Sequence, residues 1–145
     1  MGSVFIDWAY RTEGEPTQGS PIVPDVLSEF PEMLWQAPYE EAASRLIHTT
    51  QSFDRIEFTA RDPEGKLIGF AVLAEDEDPH VGPLVSVQWF FVVPERRGRV
   101  GLRMRRAIEK VALECGFQVL AYTHRLGVGR YEINYTRLRP RRSNG

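Results

Sequence analysis

The spacing of apolar residues predicts two helices in the first third of the chain. Between residues 39 and 49, apolar side chains recur three and four positions apart and fall on one face. A shorter stretch, "VLSEFPEMLW", follows Asp25, which is suited to be its N-cap, and Pro31 interrupts it. Residues 11–24 are rich in Pro, Gly, Ser and Thr, which indicates an irregular connection before the helices.

The apolar period then shortens to two, which predicts strands. Residues 53–62 alternate core-facing and solvent-facing positions, as a half-buried strand does. The predicted solvent-facing side chains are Glu57, Thr59 and Arg61. The next stretch, "LIGFAVLA", is apolar throughout, which indicates a central strand that forms a hairpin with the first. The acidic stretch from Glu75 to Gly82 is expected to be a loop.

A strand–helix–strand unit is predicted in the second half. The strand "LVSVQWFFVV" leads into a helix from Gly101, and Gly116 is a suitable C-terminal stop. The apolar stripe of this helix, which we expect to be buried, consists of Met104, Ala107, Ile108, Val111, Ala112 and Cys115. The strand "FQVLAYTHR" follows, most simply parallel to the first through a right-handed crossover, and "RYEINYTRL" is a closing strand.

These elements predict a single α/β domain with a mixed sheet, two helices near the start and one central helix. Residues 1–24 form an N-terminal strand and irregular connection, residues 25–138 form the main domain, and residues 139–145 form a basic tail. The three tryptophans are expected in the core or in the wall of a groove; they are Trp8, Trp35 and Trp89.

Composition favours a globular protein. The chain has 145 residues, of which 42% are hydrophobic and 26% charged. No apolar run approaches the ~20 residues needed to cross a bilayer, and no secretory signal is apparent at the start. Cys115 is the single cysteine, which excludes an internal disulfide and is compatible with the reducing cytoplasm, where we expect the protein.

The net charge of −2 hides a division between the two halves of the chain. Residues 1–80 contain 16 acidic and 5 basic side chains, whereas residues 81–145 contain 4 acidic and 13 basic ones. This division predicts a polarised surface whose basic side faces an anion. The acidic side faces a cation, or the two sides attract one another.

The basic half contains the most informative stretch, "VVPERRGRVGLRM", where a strand turns into the central helix. Main-chain N–H groups at a helix N-terminus bind phosphates, and the surrounding arginines add fixed positive charge. The alternative is an ordinary solvated basic turn. Either way, glycine is expected where the chain bends sharply.

This stretch resembles the signature of the GNAT superfamily of acyl-CoA-dependent N-acyltransferases. Val92, Pro94, Arg97 and Gly98 match the family pattern in register, and Gly101 also matches if one residue is deleted. The order of predicted elements is similar to the family as well. The resemblance implies transfer of an acetyl group from acetyl-CoA to a primary amine, in a small molecule or a peptide, by direct attack.

The resemblance also implies which residues hold the cofactor. The pantetheine arm would run along the strand before the turn, and the pyrophosphate would bind at the turn. The implied residues are Phe91, Val92, Val93, Arg97, Gly98, Arg99, Val100, Gly101, Leu102 and Arg103.

The chain departs from the family pattern in two places. Without a gap, Val100 and Leu102 occupy positions where the family has glycine or alanine. The connection "THRLGVGRYE" is too short for the helix that usually carries a tyrosine acid, so Tyr131 is the nearest substitute. For the base, the sequence offers Gln88, which can position a water, and His124, which can titrate. These departures leave a non-catalytic binding or structural protein on the same fold as the alternative.

Other partners are less favoured by the sequence. The arginines at the end of the chain are compatible with nucleic acid, but no nucleic-acid motif accompanies them; they are Arg137, Arg139, Arg141 and Arg142. No metal site is predicted. An exposed sheet edge in a shortened domain makes a homodimer a reasonable expectation.

Overall fold

The computed structural model describes residues 3–139, and its six strands lie in one sheet in the order of the chain. Neighbouring strands are antiparallel except β4 and β5, which are parallel. The strands are β1 (Phe5–Arg11), β2 (Arg55–Arg61), β3 (Leu67–Asp78), β4 (Gly82–Val92), β5 (Val119–Gly127) and β6 (Arg130–Arg137). The α-helices are α1 (Val23–Glu29), α2 (Tyr39–Thr50) and α3 (Arg99–Glu114). The predicted mixed α/β sheet with two early helices and one central helix is confirmed.

The helices cover opposite faces of the sheet. Helix α3 packs so closely on β3 that a Cβ atom on Gly69 would lie 2.7 Å from the Met104 Sδ. On the other face, Phe70 lies under the segment that leads into α1, where a Cβ on Gly19 would lie 2.5 Å from its ring. Glycine at both positions therefore allows the close approach of these elements to the sheet.

The polar face predicted for β2 is wrong, because β2 is buried on both faces. Glu57 and Thr59 are buried together with Arg55. The connection after β1 covers this face, since Gln18 donates to the Glu57 carboxylate and Arg55 donates to main-chain carbonyls in the same connection. Period-two patterning marks the apolar side of the strand but does not reveal a buried ion pair on the other side.

Two predicted boundaries are also corrected. Asp25 is not the N-cap of α1, because the helix already begins at Val23 after a short 3-10 turn. The acidic stretch is not a loop, because Glu75 and the three acidic residues after it extend β3 and pair with the start of β4. A long hairpin replaces the predicted loop; it turns at residues 79–81, and β4 begins at Gly82, whose φ is +81°.

Three side chains expected in the interior lie at the surface. Trp8 and Trp35 are 50% and 66% exposed. Cys115 is exposed because it is the C-cap of α3, where the apolar stripe leaves the sheet. Trp89 is half-buried, and its Nε1 donates to the Thr50 hydroxyl at 3.0 Å. Within residues 3–139, no helix is long and apolar enough to cross a membrane.

Candidate cofactor site

A bulge interrupts β4 near its middle. Val72 of β3 pairs with Trp89, whereas the next residue, Leu73, pairs with Val87. Gln88 is therefore the extra residue on β4, and its side chain is exposed. Such an insertion bends the strand and increases its local twist. The bend turns the second half of β4 away from its parallel neighbour.

A gap opens between β4 and β5 at the same level. Their pairing covers three positions and ends with Val87 and Tyr122. Residues 88–92 of β4 and residues 123–127 of β5 have no partner across this gap. We name the gap between these two segments the splay.

Main-chain groups of β4 line the splay. The Val93 N–H donates to the Ile68 carbonyl on β3 at 2.9 Å. In an antiparallel ladder, alternate residues direct their N–H and C=O groups to opposite sides of the strand. Phe91 therefore directs its groups toward β3, as Val93 does, whereas Phe90 and Val92 direct theirs into the splay. The splay thus offers unpaired strand-edge groups to an extended ligand that contains amides.

The splay continues into the N-terminus of α3. Gly98 precedes the helix with φ +89° and ψ −89°, a conformation that favours glycine. No side chain among residues 3–139 caps the helix. The first N–H group of the helix with a main-chain partner is that of Leu102, which donates to the Gly98 carbonyl. The N–H groups of Arg99, Val100 and Gly101 thus lie in the first turn, where a helix binds anions.

The side chains of this turn leave its outer surface open. Apart from the adjoining backbone, a Cβ atom at Gly98 or Gly101 would meet no atom within 4 Å. Val100 turns its side chain into the core and is buried, so a valine in place of the family's glycine does not obstruct the turn. Leu102 is half-exposed at the surface.

The arginines around the turn differ in what they contact. The Arg103 guanidinium donates to the Val4 carbonyl at 3.0 Å and so ties α3 to the start of the chain. Arg99 is exposed and has no ion pair with any residue between 3 and 139. It therefore remains available to an anion at the helix N-terminus.

Arg97 reaches back to the β4 edge of the splay and to the end of α1. Its Nε donates to the Val92 carbonyl at 2.9 Å, and its guanidinium lies 5.3 Å from the centre of the Phe91 ring. The two terminal nitrogens donate to both oxygens of Glu29, the last residue of α1. These hydrogen bonds hold the pKa of Glu29 below its ordinary value. Arg97 thus occupies one of the strand-edge carbonyls that face the splay, and its charge is paired.

The segment after α1 closes the splay on the α1/α2 face. The Phe30 ring meets Phe91 edge-on at 6.1 Å, and the Arg125 guanidinium lies 4.8 Å from the centre of the Phe30 ring. Arg125 also donates through two nitrogens to Glu32, at 2.7 and 2.9 Å. The face toward α3 carries no comparable bridge between the two strands within the described residues.

Solved structures of acetyltransferases have the same architecture. A GNAT family acetyltransferase from Brucella melitensis, in complex with acetyl-CoA, matches with a TM-score of 0.56 over 96% of this chain and 93% of its own, at 13% identity. The Escherichia coli GNAT family N-acetyltransferase YhbS, in complex with CoA, matches with a TM-score of 0.57 over 84% of this chain and 63% of its own, at 16% identity. A ribosomal-protein-alanine N-acetyltransferase from Brucella melitensis biovar Abortus 2308 matches with 0.56 over 81% and 79%, at 18% identity.

No family model and no curated protein sequence matches the chain. The similarity is therefore one of structure. The chain has the GNAT fold.

On this GNAT fold, the three residues predicted to catalyse the reaction do not all lie on the same face of the sheet. Gln88 lies at the bulge. His124 is exposed on the α3 side of β5, across the splay from β4. Tyr131 lies on the opposite face, where its hydroxyl donates to Glu32 at 2.6 Å. Partial desolvation of the hydroxyl group is the main cause of a raised pKa of Tyr131, and the hydrogen bond to Glu32 raises it further.

Several residues of the site were missed in the sequence. Glu29 and Glu32 lie in or just after α1, and nothing in their local pattern distinguishes them from solvated acidic residues. Their partners, Arg97 and Arg125, are 68 and 93 residues away in the chain. Phe90 was missed because the ladder register, which decides which strand-edge groups face the splay, is not visible in one sequence.

Proposed function

We propose that the chain is an N-acetyltransferase that moves the acetyl group of acetyl-CoA to a primary amine. One observation supports this most: an unpaired strand edge is followed, after a short 3-10 turn at Pro94–Arg96, by an uncapped helix N-terminus. The first offers amide partners to a pantetheine arm, and the second offers N–H groups to a pyrophosphate. Neighbouring structures on the same fold contain CoA and acetyl-CoA.

In this proposal, each cofactor segment has its own binding groups. The pyrophosphate accepts hydrogen bonds from the N–H groups of Arg99, Val100 and Gly101, with Arg99 adding charge. The pantetheine amides bond Phe90 and Val92 along the splay. Arg97 exchanges its bond to the Val92 carbonyl for the cofactor. The thioester then lies close to Gln88, at the bulge.

The reaction is a direct transfer without a covalent enzyme intermediate. The amine nitrogen attacks the thioester carbon, the carbon–sulfur bond breaks, and the departing thiolate gains a proton. The amine must lose a proton, which His124 accepts directly or through a water that Gln88 positions. Main-chain N–H groups at the bulge stabilise the oxyanion, and alignment of the two substrates supplies much of the rate.

A second candidate is a non-catalytic binding protein on the GNAT fold. The observation that favours it is the Arg97 side chain, which occupies the Val92 carbonyl and is paired with Glu29. In a protein that never binds a cofactor, this contact would simply be permanent.

Calorimetry with acetyl-CoA tests the proposed binding site through a matched pair of variants. Gly101→Ala adds only a methyl group in open space, whereas Gly101→Asp adds a carboxylate beside the proposed pyrophosphate. An acidic residue in the first helical turn stabilises the helix, so both variants should fold. We expect Gly101→Asp to weaken binding about tenfold or more through charge repulsion. Equal affinity of the two variants would place the pyrophosphate elsewhere.

Thiol release during turnover tests the catalytic roles. His124→Gln should lower kcat by roughly 10²–10⁴-fold, as expected for loss of a proton-transfer group. Tyr131→Phe should leave kcat unchanged, because the Tyr131 proton is held by Glu32. Turnover that survives in His124→Gln but is lost in Tyr131→Phe would reverse this assignment. Absence of acetyl-CoA binding at millimolar ligand, with no turnover of any amine, would favour the non-catalytic protein.

A further inference from the structure

An open cleft of about 760 Å³ lies on the α3 side of the sheet, at the end opposite to the predicted pyrophosphate turn. It forms because neighbouring strands differ in length at this end of the sheet. Strand β3 extends several residues beyond the point where its neighbour β2 begins, at Arg55. The C-terminal end of α3 forms one wall, through Ala112 and Cys115. The cleft is thus a product of the long β3–β4 hairpin that the sequence pattern missed.

The cleft combines an apolar interior with an acidic rim. Leu73, Val85 and Ala112 form apolar parts of its wall. The aromatic residues that line it are Tyr10, Phe53 and Phe117, and the acidic ones are Asp54, Glu75 and Asp76. Arg55 is the one basic residue in the lining, and its side chain is buried and paired with Glu57. The net charge presented to the cleft is therefore negative.

The cleft reaches the proposed reaction centre. Gln88, the bulge residue, belongs to its lining. Leu73 lies at the level of the bulge, and Glu75 lies two residues further along β3, which is about 7 Å for an extended strand. A short molecule can therefore place one end beside Gln88 and the other end among the acidic side chains. On the opposite face, the contacts of Phe30 and Arg125 close the splay.

We propose that this cleft is the acceptor site, and that it selects a primary amine carrying a second cationic group on a short apolar stem, as a diamine does. The inference rests on the proposed acetyltransferase function. The acidic rim attracts the cation, and the aromatic walls accept both the stem and the charge. The amine at the far end of the stem lies beside Gln88, where the thioester is expected.

Three probes of equal stem length test the proposal by NMR titration of the cofactor-free chain. They are 1,4-diaminobutane, butylamine and 4-aminobutanoate, whose distal groups are cationic, neutral and anionic. We expect the diamine to bind about tenfold more tightly than butylamine, since it gains attraction to several carboxylates. The aminobutanoate should bind most weakly. Amide shifts should centre on Glu75, Asp76 and Cys115. Equal binding of all three probes, or shifts elsewhere, would overturn the proposal.

A matched pair of variants localises the charge effect. Glu75→Gln removes a carboxylate from the cleft, whereas Glu77→Gln removes one from the same strand outside it. The first should weaken diamine binding severalfold and raise the KM for the diamine in acetyl transfer, and the second should change neither. Equal effects of both variants would show that general surface charge explains the attraction, and would overturn the site.

Separate titrations distinguish the failure of this inference from failure of the proposed function. Acetyl-CoA binding without diamine binding would overturn the cleft as acceptor site and leave the transferase intact. Diamine binding without acetyl-CoA binding would overturn the acceptor role and the transferase together.

Discussion

Two arginine–glutamate pairs of the same chemistry have opposite surroundings. Arg55 and Glu57 lie within β2 and are both 0% exposed, whereas Arg97 and Glu29 join α3's turn to α1 and are 43% and 30% exposed. Both arginines also bond main-chain carbonyls. Because solvent competes with the second pair and not with the first, only the second can exchange its partner at little cost.

The buried pair organises the connection after β1. Arg55 donates to the Glu15 carbonyl at 2.7 Å, and Gln18 donates to Glu57 through its main-chain N–H at 2.9 Å. Removal of one partner would leave a charge without compensation in the interior. The exposed pair instead lies where the proposed cofactor binds. The difference teaches that the first pair maintains the fold, whereas the second can open without unfolding it.

The largest effect should come from breaking the buried pair. Arg55→Met leaves the Glu57 carboxylate unpaired, and we expect a loss of about 3–5 kcal/mol in the free energy of unfolding. The double variant Arg55→Met/Glu57→Leu should be less destabilised than the single one, because it buries no lone charge. Urea denaturation followed by circular dichroism measures both. A loss below ~1 kcal/mol in the single variant would show that the pair behaves like an exposed one.

An intermediate effect is expected in the acid stability of the Glu32 contact. The hydrogen bonds from Arg125 hold the pKa of Glu32 well below its ordinary value of 4.5. As the pH falls below that value, the unfolded chain takes up a proton that the folded chain refuses, so this contribution to stability is lost. Glu32→Gln should therefore lower the melting temperature at neutral pH and reduce its dependence on pH below 4.5. If the melting temperatures of the two proteins fall in parallel as the pH decreases below 4.5, the result would contradict the contact.

The smallest effect is expected at the exposed pair. Glu29→Gln releases Arg97 for the cofactor, and we expect acetyl-CoA to bind about two- to fivefold more tightly, the range of an exposed ion pair. Glu41→Gln is the matched control, because it removes the same charge from an exposed position on α2. Calorimetry measures both affinities. If the two variants gain equally, net charge explains the change; if Glu29→Gln binds more weakly, the pair supports the site.

The element order was predictable because it depends on local patterns. The period-two and helical stretches, together with Gly98 and Gly116, indicated the hairpin, the crossover and the turn. The same reasoning failed at Glu57, because a buried ion pair gives the same alternating sequence pattern as a strand with one solvent-facing side. It also failed at Glu75, where acidic residues that favour a loop instead extend a strand, since pairing with β4 overrides their local preference.

The candidate site was predictable only in its contiguous part. Residues 92–103 carry the turn within one stretch, so a motif can reveal them. The contacts of Glu29 and Glu32 depend on which elements meet in three dimensions, and the cleft at Gln88 depends on where β2 begins. Neither property is encoded in the spacing of one segment.

The most direct test of the cofactor site is an NMR titration of the isotope-labelled chain with CoA. We predict the largest amide shifts at Arg99, Val100 and Gly101, together with Phe90 and Val92 along the splay, with smaller changes elsewhere. If the amide shifts of α3's first turn and of the β4 edge saturate at the same CoA concentration, the two segments form one continuous site. An unchanged spectrum at millimolar CoA, or shifts that avoid both segments, would contradict it.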